Sequence, residues 1–225
     1  MERLNKVIAQ AGIASRRGAD ELIRNGVVFV NNKRATLGAL VNRYHDQIRV
    51  GKKMLTVKKK EYYLFHKPKG CLTSKSDPDG KPTIYDLLPR QLQHLFPVGR
   101  LDFNSAGLLI LTNDGEFANQ LSHPSFQVKK VYQVKVRGKP PEKVINLFKK
   151  GILLEEGRAY FNDVKKIKEI GKNSWFEVTV TEGRNLFIRR MFEKFGFGVV
   201  KLKRTQMGDF SLGKLKVREL RKLIR

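Results

Sequence analysis

Cysteine, histidine and long apolar runs are all scarce in this 225-residue sequence. The single cysteine, Cys71, excludes an internal disulfide and a cysteine-based zinc cluster, and such sparing use suits a reducing compartment. The four histidines are scattered without helical metal-ligand spacing, so we predict no metal site. No apolar run approaches the ~20 residues of a membrane span, and the charged N-terminus does not resemble a signal peptide. We therefore expect a cytoplasmic protein with no membrane partner.

Acidic residues are also few, with 21 Asp and Glu against 46 Lys and Arg, which gives a net charge of +25. Such an excess favours a polyanionic partner, because each cation placed against a phosphate releases a counterion and adds affinity. The alternative is a basic surface that only keeps the chain in solution. Hydrophobic residues make up 40% of the sequence, which excludes a disordered basic tail and allows a buried core.

The chain is predicted to form two domains of α+β class. Residues 1–58 are expected to form a small α/β domain with two short helices followed by strands, and residues 59–61 a linker. Leu4, Val7 and Ile8 have the spacing of one helical stripe, and Ser15 can cap a second helix. Residues 62–225 mix strands and helices without a regular βαβ repeat, which indicates a separate α+β domain.

Two arginines, Arg16 and Arg17, begin the predicted second helix, where the backbone N–H groups and the helix dipole favour an anion. Lys33 follows the Asn31-Asn32 turn. Paired arginines on a helix can equally be a solvated face. In their order, Ala14 to Gly18 and Val30 to Lys33 resemble the S4-type RNA-binding domain over about residues 1–50. That resemblance implies that Arg16, Arg17 and Lys33 contact RNA.

The most informative stretch of the second segment runs from Val98 to Gly115. It places a carboxylate, Asp102, in a loop just before the apolar run Leu108 to Leu111. Gly99 and Gly107 flank this loop and allow close approach of backbone. From residue types alone, a single loop aspartate is more typical of a turn or a helix cap than of a reactive group.

Gly99-Arg100-Leu101-Asp102 closely resembles the signature of the RsuA-type ribosomal RNA pseudouridine synthases, which commonly carry an N-terminal S4 domain. Further motifs of that family are matched in order by Lys67 to Gly70, Asp77 to Thr83, Asp86 to Pro89, His123-Pro124, Lys130 to Tyr132, Glu182 to Asn185 with Ile188 to Phe192, Val200 to Arg204 and Gly208 to Leu215. The stretches Asp77 to Thr83 and Ala14 to Arg17 look most like the branch that modifies the large ribosomal subunit.

The resemblance implies a mixed, largely antiparallel sheet flanked by helices, with the active cleft across its centre. It also implies that a uridine in folded RNA becomes its C-glycoside isomer without any cofactor. Asp102 is then the nucleophile, Arg189 the cation that orients it, and Tyr132 the ring that stacks on the base. The expected RNA contacts of this domain are Lys67, Lys69, Arg100, Arg184, Arg190, Lys203 and Arg204, each of which could instead be ordinary surface.

The expected partner is structured ribosomal RNA. The 23S molecule is favoured, 16S RNA is the alternative, and the expected oligomeric state is a monomer. The third motif departs from the family where Leu186 and Phe187 replace the usual polar residue and glutamine. A non-catalytic RNA-binding assembly factor is an alternative, although Asp102, Tyr132 and Arg189 are all present. A glycosidase would need a second carboxylate, for which the Asp102 loop offers only Asp114.

Overall fold

The computed structural model describes residues 1–56 and 59–223. The chain folds into two compact units, Met1–Glu61 with Asn113–Gly115, and Tyr62–Thr112 with Glu116–Arg225. The predicted domain end at residue 58 lies outside the described residues, so that limit stays a prediction. Within the described part of the chain, no helix combines the length and the apolar character needed to cross a membrane.

Five α-helices and three short 3₁₀ turns are present in the described residues. The helices are α1 (Leu4–Gln10), α2 (Arg16–Arg24), α3 (Gly115–Ser122), α4 (Glu142–Lys150) and α5 (Phe187–Glu193), and the turns are Ile84–Asp86, Arg90–Leu92 and Pro124–Phe126. The strands of the first unit are β1 (Glu2–Arg3), β2 (Val28–Val30), β3 (Lys33–Arg34), β4 (Leu40–Val41), β5 (Ile48–Val50) and β6 (Lys53–Met54).

The strands of the second unit begin with β7 (Tyr62–Lys67), β8 (Phe96–Val98), β9 (Ala106–Thr112), β10 (Lys130–Arg137), β11 (Ile152–Leu154) and β12 (Gly157–Ala159). They continue with β13 (Asp163–Ile170), β14 (Asn173–Val180), β15 (Val199–Met207), β16 (Phe210–Ser211) and β17 (Leu220–Lys222).

The first unit packs α1 and α2 on short antiparallel strands in the order β3-β2-β5-β6. The predicted stripe Leu4, Val7 and Ile8 is buried and packs in one cluster with Ile23 of α2. Ser15 caps α2, since its Oγ accepts a hydrogen bond of 3.1 Å from the N–H of Gly18. Local periodicity and a cap therefore account for both helices.

The second unit is built on one sheet in the order β13-β14-β10-β15-β9-β7-β17, with β16 beside β15 and β8 beside β9. The β15–β9 pair is parallel, and the other described pairs of this sheet are antiparallel. The predicted α+β class with a mixed, largely antiparallel sheet is therefore confirmed. Along β10, Tyr132, Val134 and Val136 are buried and the residues between them are half-buried, because successive strand residues face opposite sides.

The contact between β9 and β15 depends on Gly107, which has a φ of +113°. A Cβ atom at this position would lie 2.2 Å from the carbonyl oxygen of Arg204 and 2.6 Å from its nitrogen. Only glycine therefore allows the two backbones to approach this closely. The approach brings the end of the Asp102 loop beside β15.

Candidate active site

The Asp102 loop joins β8 to β9 and is fixed on several sides by hydrogen bonds. The Ser105 N–H donates to the carbonyl of Asp102 over 3.0 Å, and the Ser105 hydroxyl lies 3.4 Å from Asp102 Oδ2. The Thr73 hydroxyl donates to the Leu101 carbonyl over 2.7 Å. The Gly70 N–H donates to the Phe103 carbonyl over 2.9 Å. Asp102 is therefore presented on a rigid loop, and its side chain is partly exposed.

Lys67, at the end of β7, is wholly buried directly beneath this loop. Its ammonium donates to the carbonyls of Ser105 at 2.9 Å, Asp102 at 3.1 Å and Pro68 at 3.1 Å. Burial lowers its pKa, and the nearby charge of Asp102 acts in the opposite direction. This burial contradicts the prediction that Lys67 contacts the RNA backbone, because a side chain with no exposed surface cannot reach a phosphate. Lys67 instead holds the loop that carries Asp102.

A cavity of about 260 Å³ opens above the sheet at this loop. Its lining combines a carboxylate, an aromatic ring, cations and apolar side chains, among them Asp102, Tyr132, Arg100, Arg184, Lys130, Arg204, Leu101 and Ile188. Several charged groups thus converge on one space beside apolar side chains, as in a site that takes a polar ligand. Asp102 and Tyr132, which are 30 positions apart in the sequence, thus face one space.

Arg189 does not pair with Asp102 in the described structure. Its guanidinium donates to the carbonyl of Asn104 over 3.1 Å and to that of Val199 over 3.1 Å. Instead of the direct contact with the Asp102 carboxylate that the family resemblance implied, Arg189 contacts the backbone two residues further along the same loop. Helix α5 begins two residues before Arg189 and sets the guanidinium against the loop.

Arg184 lines the cavity and is held by Glu182, whose Oε1 accepts a hydrogen bond of 2.9 Å from Nη2. Hydrogen bonding to Glu182 raises the pKa of Arg184. The guanidinium also lies 5.0 Å from the ring centroid of Phe187. Phe187, one of the two departures from the family motif, is buried and packs against Phe161. The other departure, Leu186, is exposed and has a φ of +50°.

Lys130 and Arg204 are cations of the cavity wall that are almost completely buried. The Lys130 ammonium donates to the Thr181 carbonyl over 2.9 Å, and Arg204 Nε donates to the Leu108 carbonyl over 2.8 Å. Burial, aided by the charge of Arg204, lowers the pKa of Lys130. Because only 2% of Arg204 is exposed, the structure contradicts the prediction that Arg204 contacts the RNA backbone.

Sequence reasoning did not identify Lys130 or Glu182 as part of the site. The signal for Lys130 was present, because it lies two residues before Tyr132 on a strand and therefore faces the same side. Glu182 supplies a second carboxylate in the cavity wall, but Arg184 engages it. Asp114, the carboxylate weighed for a glycosidase, is not part of the cavity lining.

The remaining predicted RNA contacts lie at several places. Arg16, Arg17 and Lys33 are exposed in the first unit, and Lys69 and Arg100 are exposed in the second. Arg190 forms an ion pair with Glu156 and thereby lowers the pKa of that carboxyl. Lys203 lies between the buried Leu202 and Arg204 and so faces the other side of the sheet. RNA contact by these residues remains a prediction.

Comparison with known proteins agrees with this geometry. Residues 61–194 match the RNA pseudouridylate synthase family, and residues 2–44 match the S4 domain. The chain is 42% identical to ribosomal large subunit pseudouridine synthase B of Bacillus subtilis (strain 168), over 99% of this chain and 92% of that protein. It is also 42% identical to an uncharacterized RNA pseudouridine synthase of Aquifex aeolicus (strain VF5), over 98% and 90% of the two chains.

A solved structure adds a likeness in three dimensions. The crystal structure of a pseudouridylate synthase superposes with a TM-score of 0.69 at 29% identity, covering 100% of this chain and 96% of that one. Three observations support the same assignment: the family match over more than half of the chain, the relatives aligned over nearly its full length, and the cavity lined by Asp102 and Tyr132. The chain belongs to the RNA pseudouridylate synthase family and is a pseudouridine synthase with an S4 domain.

Proposed function

We propose that this enzyme isomerises one uridine of 23S ribosomal RNA, with Asp102 as the nucleophile. The observation that carries the proposal is that Asp102 and Tyr132 line one cavity, with Asp102 on a loop fixed by Lys67 and Arg189 and Tyr132 on β10. A rigid loop keeps a reactive group in its productive geometry without further ordering during the reaction. The relative from Bacillus subtilis supports the large-subunit substrate.

The proposed reaction begins when the Asp102 carboxylate attacks C1′ of the target nucleotide. An ester bond forms as the C1′–N1 bond breaks, and the electron pair leaves with the uracil. After the base has turned, C5 attacks C1′ and the ester breaks, which regenerates the carboxylate. C5 then loses its proton and N1 gains one, so the product is an isomer and no oxidant, reductant or cofactor takes part.

Tyr132 is proposed to hold the uracil while it turns. Its ring is almost buried on β10, on the side of the sheet where the cavity opens. An aromatic face stacks on any base and so retains it without fixing its rotation. The Tyr132 hydroxyl can take part in the removal of the C5 proton. The target base must leave its stack in the RNA to enter a cavity of this size.

Arg189 is proposed as a positioning residue, because it touches the loop and not the Asp102 carboxylate. Arg100 and Arg184 lie at the cavity and are suited to the phosphates beside the flipped nucleotide. Arg16, Arg17 and Lys33 are proposed to contact RNA through the S4 domain. A ribosomal RNA substrate would place the enzyme in the cytoplasm.

The test is to incubate separate 23S and 16S transcripts with the enzyme and to map pseudouridine by carbodiimide treatment and primer extension. We expect one strong stop in the 23S transcript with the wild-type enzyme and none with Asp102→Asn. The matched control is Asp209→Asn, a change of the same kind at an exposed residue outside the cavity lining, which should keep the stop.

A stop in 16S RNA alone would overturn the 23S assignment and leave the chemistry intact. A stop that persists in Asp102→Asn would overturn the role of Asp102. If neither transcript nor a partly assembled large subunit shows a stop while filter binding stays tight, the protein is a binding factor and the proposal fails.

A further inference from the structure

The sheet of the second unit has a basic face on the side opposite the cavity. Residues directly opposite each other on paired strands share one face of a sheet. One row of such partners crosses four strands, and a second row lies two residues away on β10, β14 and β15 and three residues away on β13, which has a bulge between the rows. The first row is Lys168, Trp175, Lys135 and Lys201, and the second is Lys165, Glu177, Gln133 and Lys203. We call these two rows the lysine–tryptophan face.

This face is separate from the active site because of strand alternation. On β10, Tyr132 and Val134 are buried towards the cavity side, whereas Gln133 and Lys135 are half-buried on the other side. On β14 the half-buried Trp175 lies between the buried Ser174 and Phe176. The face is open to solvent, since Lys165, Lys168 and Lys201 are exposed.

The face carries a strong positive charge around one aromatic ring. The two rows contain five lysines and one carboxylate, that of Glu177, and one of these lysines, Lys165, forms an ion pair of 3.3 Å with Asp163. The Lys135 ammonium lies 5.9 Å from the ring centroid of Trp175, within cation–π distance. Lys168 is directly opposite Trp175 on the other flanking strand. The indole is therefore flanked by cations on both sides along the row.

We propose that the lysine–tryptophan face binds a single-stranded segment of RNA, with a base on Trp175 and phosphates at Lys135, Lys168 and Lys201. Surfaces that bind single strands combine aromatic platforms with rows of cations. An acidic protein segment would match the charge but has no bases to stack on the indole. The proposal goes beyond the proposed function, because no step at Asp102 requires this face.

Trp175 is the single tryptophan of the chain, so intrinsic fluorescence of the full-length protein reports on this face alone. We expect oligouridylate to quench the Trp175 emission in a saturable way that weakens with added salt, and polyglutamate to leave it unchanged. An unchanged emission while the anisotropy of labelled oligouridylate saturates would overturn the proposal. Equal quenching by polyglutamate would also overturn it, in favour of an acidic protein partner.

Variants that remove lysine charge test whether RNA phosphates contact the lysine–tryptophan face. Lys135→Gln with Lys201→Gln should reduce the slope of log affinity against log salt by about 1.4 for labelled oligouridylate. The matched control is Lys143→Gln with Lys150→Gln, which removes the same charge from two exposed positions on α4 and should reduce the slope less. Equal slopes in the two double variants would contradict the proposal, because the effect would then be one of net charge.

Trp175→Leu should weaken binding at least about fivefold, the lower limit for loss of one stacked base, and Trp175→Phe should recover part of that affinity. Circular dichroism checks that both variants are folded. An affinity unchanged by Trp175→Leu would exclude stacking on this ring. Neither the Trp175 quenching nor the oligouridylate affinity requires turnover. Failure of the binding proposal would therefore not affect the activity proposed for Asp102. Conversely, Asp102→Asn should lose activity and keep both binding signals.

Discussion

The second unit contains two sets of cations that differ in almost everything except residue type. Lys67, Lys130 and Arg204 are buried at the active site and donate to backbone carbonyls. Lys135 and Lys201, from the same strands as Lys130 and Arg204, face solvent on the opposite side of the sheet. A lysine five positions further along one strand thus has a different physical task, because the strand alternates its two faces.

The buried set shows how a very basic protein uses positive charge inside its fold. Three carbonyls surround the Lys67 ammonium and replace the water that it has lost. Two of these carbonyls, those of Asp102 and Ser105, belong to the loop that carries the proposed nucleophile. A buried cation can thus position a catalytic loop without touching the substrate. The exposed set is free to meet an external polyanion.

The largest expected effect comes from Lys67, compared with Lys69 two residues away. Lys67→Met should lower the free energy of unfolding of the second unit by about 3 kcal/mol, because buried carbonyls lose their donor. Lys69→Met should change it by less than about 0.5 kcal/mol, since Lys69 is exposed. Urea unfolding followed by Trp175 fluorescence measures both values. Equal losses in the two variants would break the distinction between buried and exposed cations.

The next effect in size is a loss of kcat on substitution of Arg189, for which the neighbouring Arg190 is the matched control. Arg189→Gln should lower kcat by about 10- to 100-fold with little change in KM, because the Asn104 carbonyl loses its donor and the Asp102 loop loosens. Arg190→Gln should lower kcat much less, since Arg190 pairs with Glu156, which is not part of the cavity lining. Single-turnover kinetics on one RNA substrate separates the two. A larger loss in Arg190→Gln would show that the loop contact is unimportant.

The smallest effect is a dependence of stability on pH. Burial lowers the pKa of Lys67 below its ordinary value. Between the lowered pKa of the folded state and the unfolded value of about 10.4, the unfolded state binds more protons, so stability rises with pH. The difference in free energy of unfolding between wild type and Lys67→Met should therefore grow as the pH rises towards that unfolded value. A difference that shrinks over this range would contradict the effect of burial.

Local elements of the fold were predictable because their signals are short in range. Ser15 marks the start of α2, and the alternation after Lys130 predicts β10. The strand β13 has no such signal, since six of its eight residues are exposed, and it is set by pairing with β14. Pairing of β7 with β17 joins segments more than 150 residues apart, which no local pattern indicates.

Site residues could be predicted where a family motif identifies the position. They could not be predicted where the role of a charged residue depends on whether its side chain is buried. Asp102 and Tyr132 face one cavity as expected. Lys67 and Arg204 were grouped with Lys203 as RNA contacts, yet the first two are buried, and RNA contact by Lys203 stays a prediction. Which charged side chain is buried depends on the packing of strands that are distant in sequence, and charge alone does not show it.

The most direct test of the account is the rate of tritium release from RNA that contains [5-³H]uridine, under single-turnover conditions. This signal reports the loss of the C5 proton, and pseudouridine formation requires that loss. We expect Asp102→Asn to lower the rate by about 10⁴-fold or more while it binds the RNA as tightly as wild type. A rate within about tenfold of wild type would contradict Asp102 as the nucleophile.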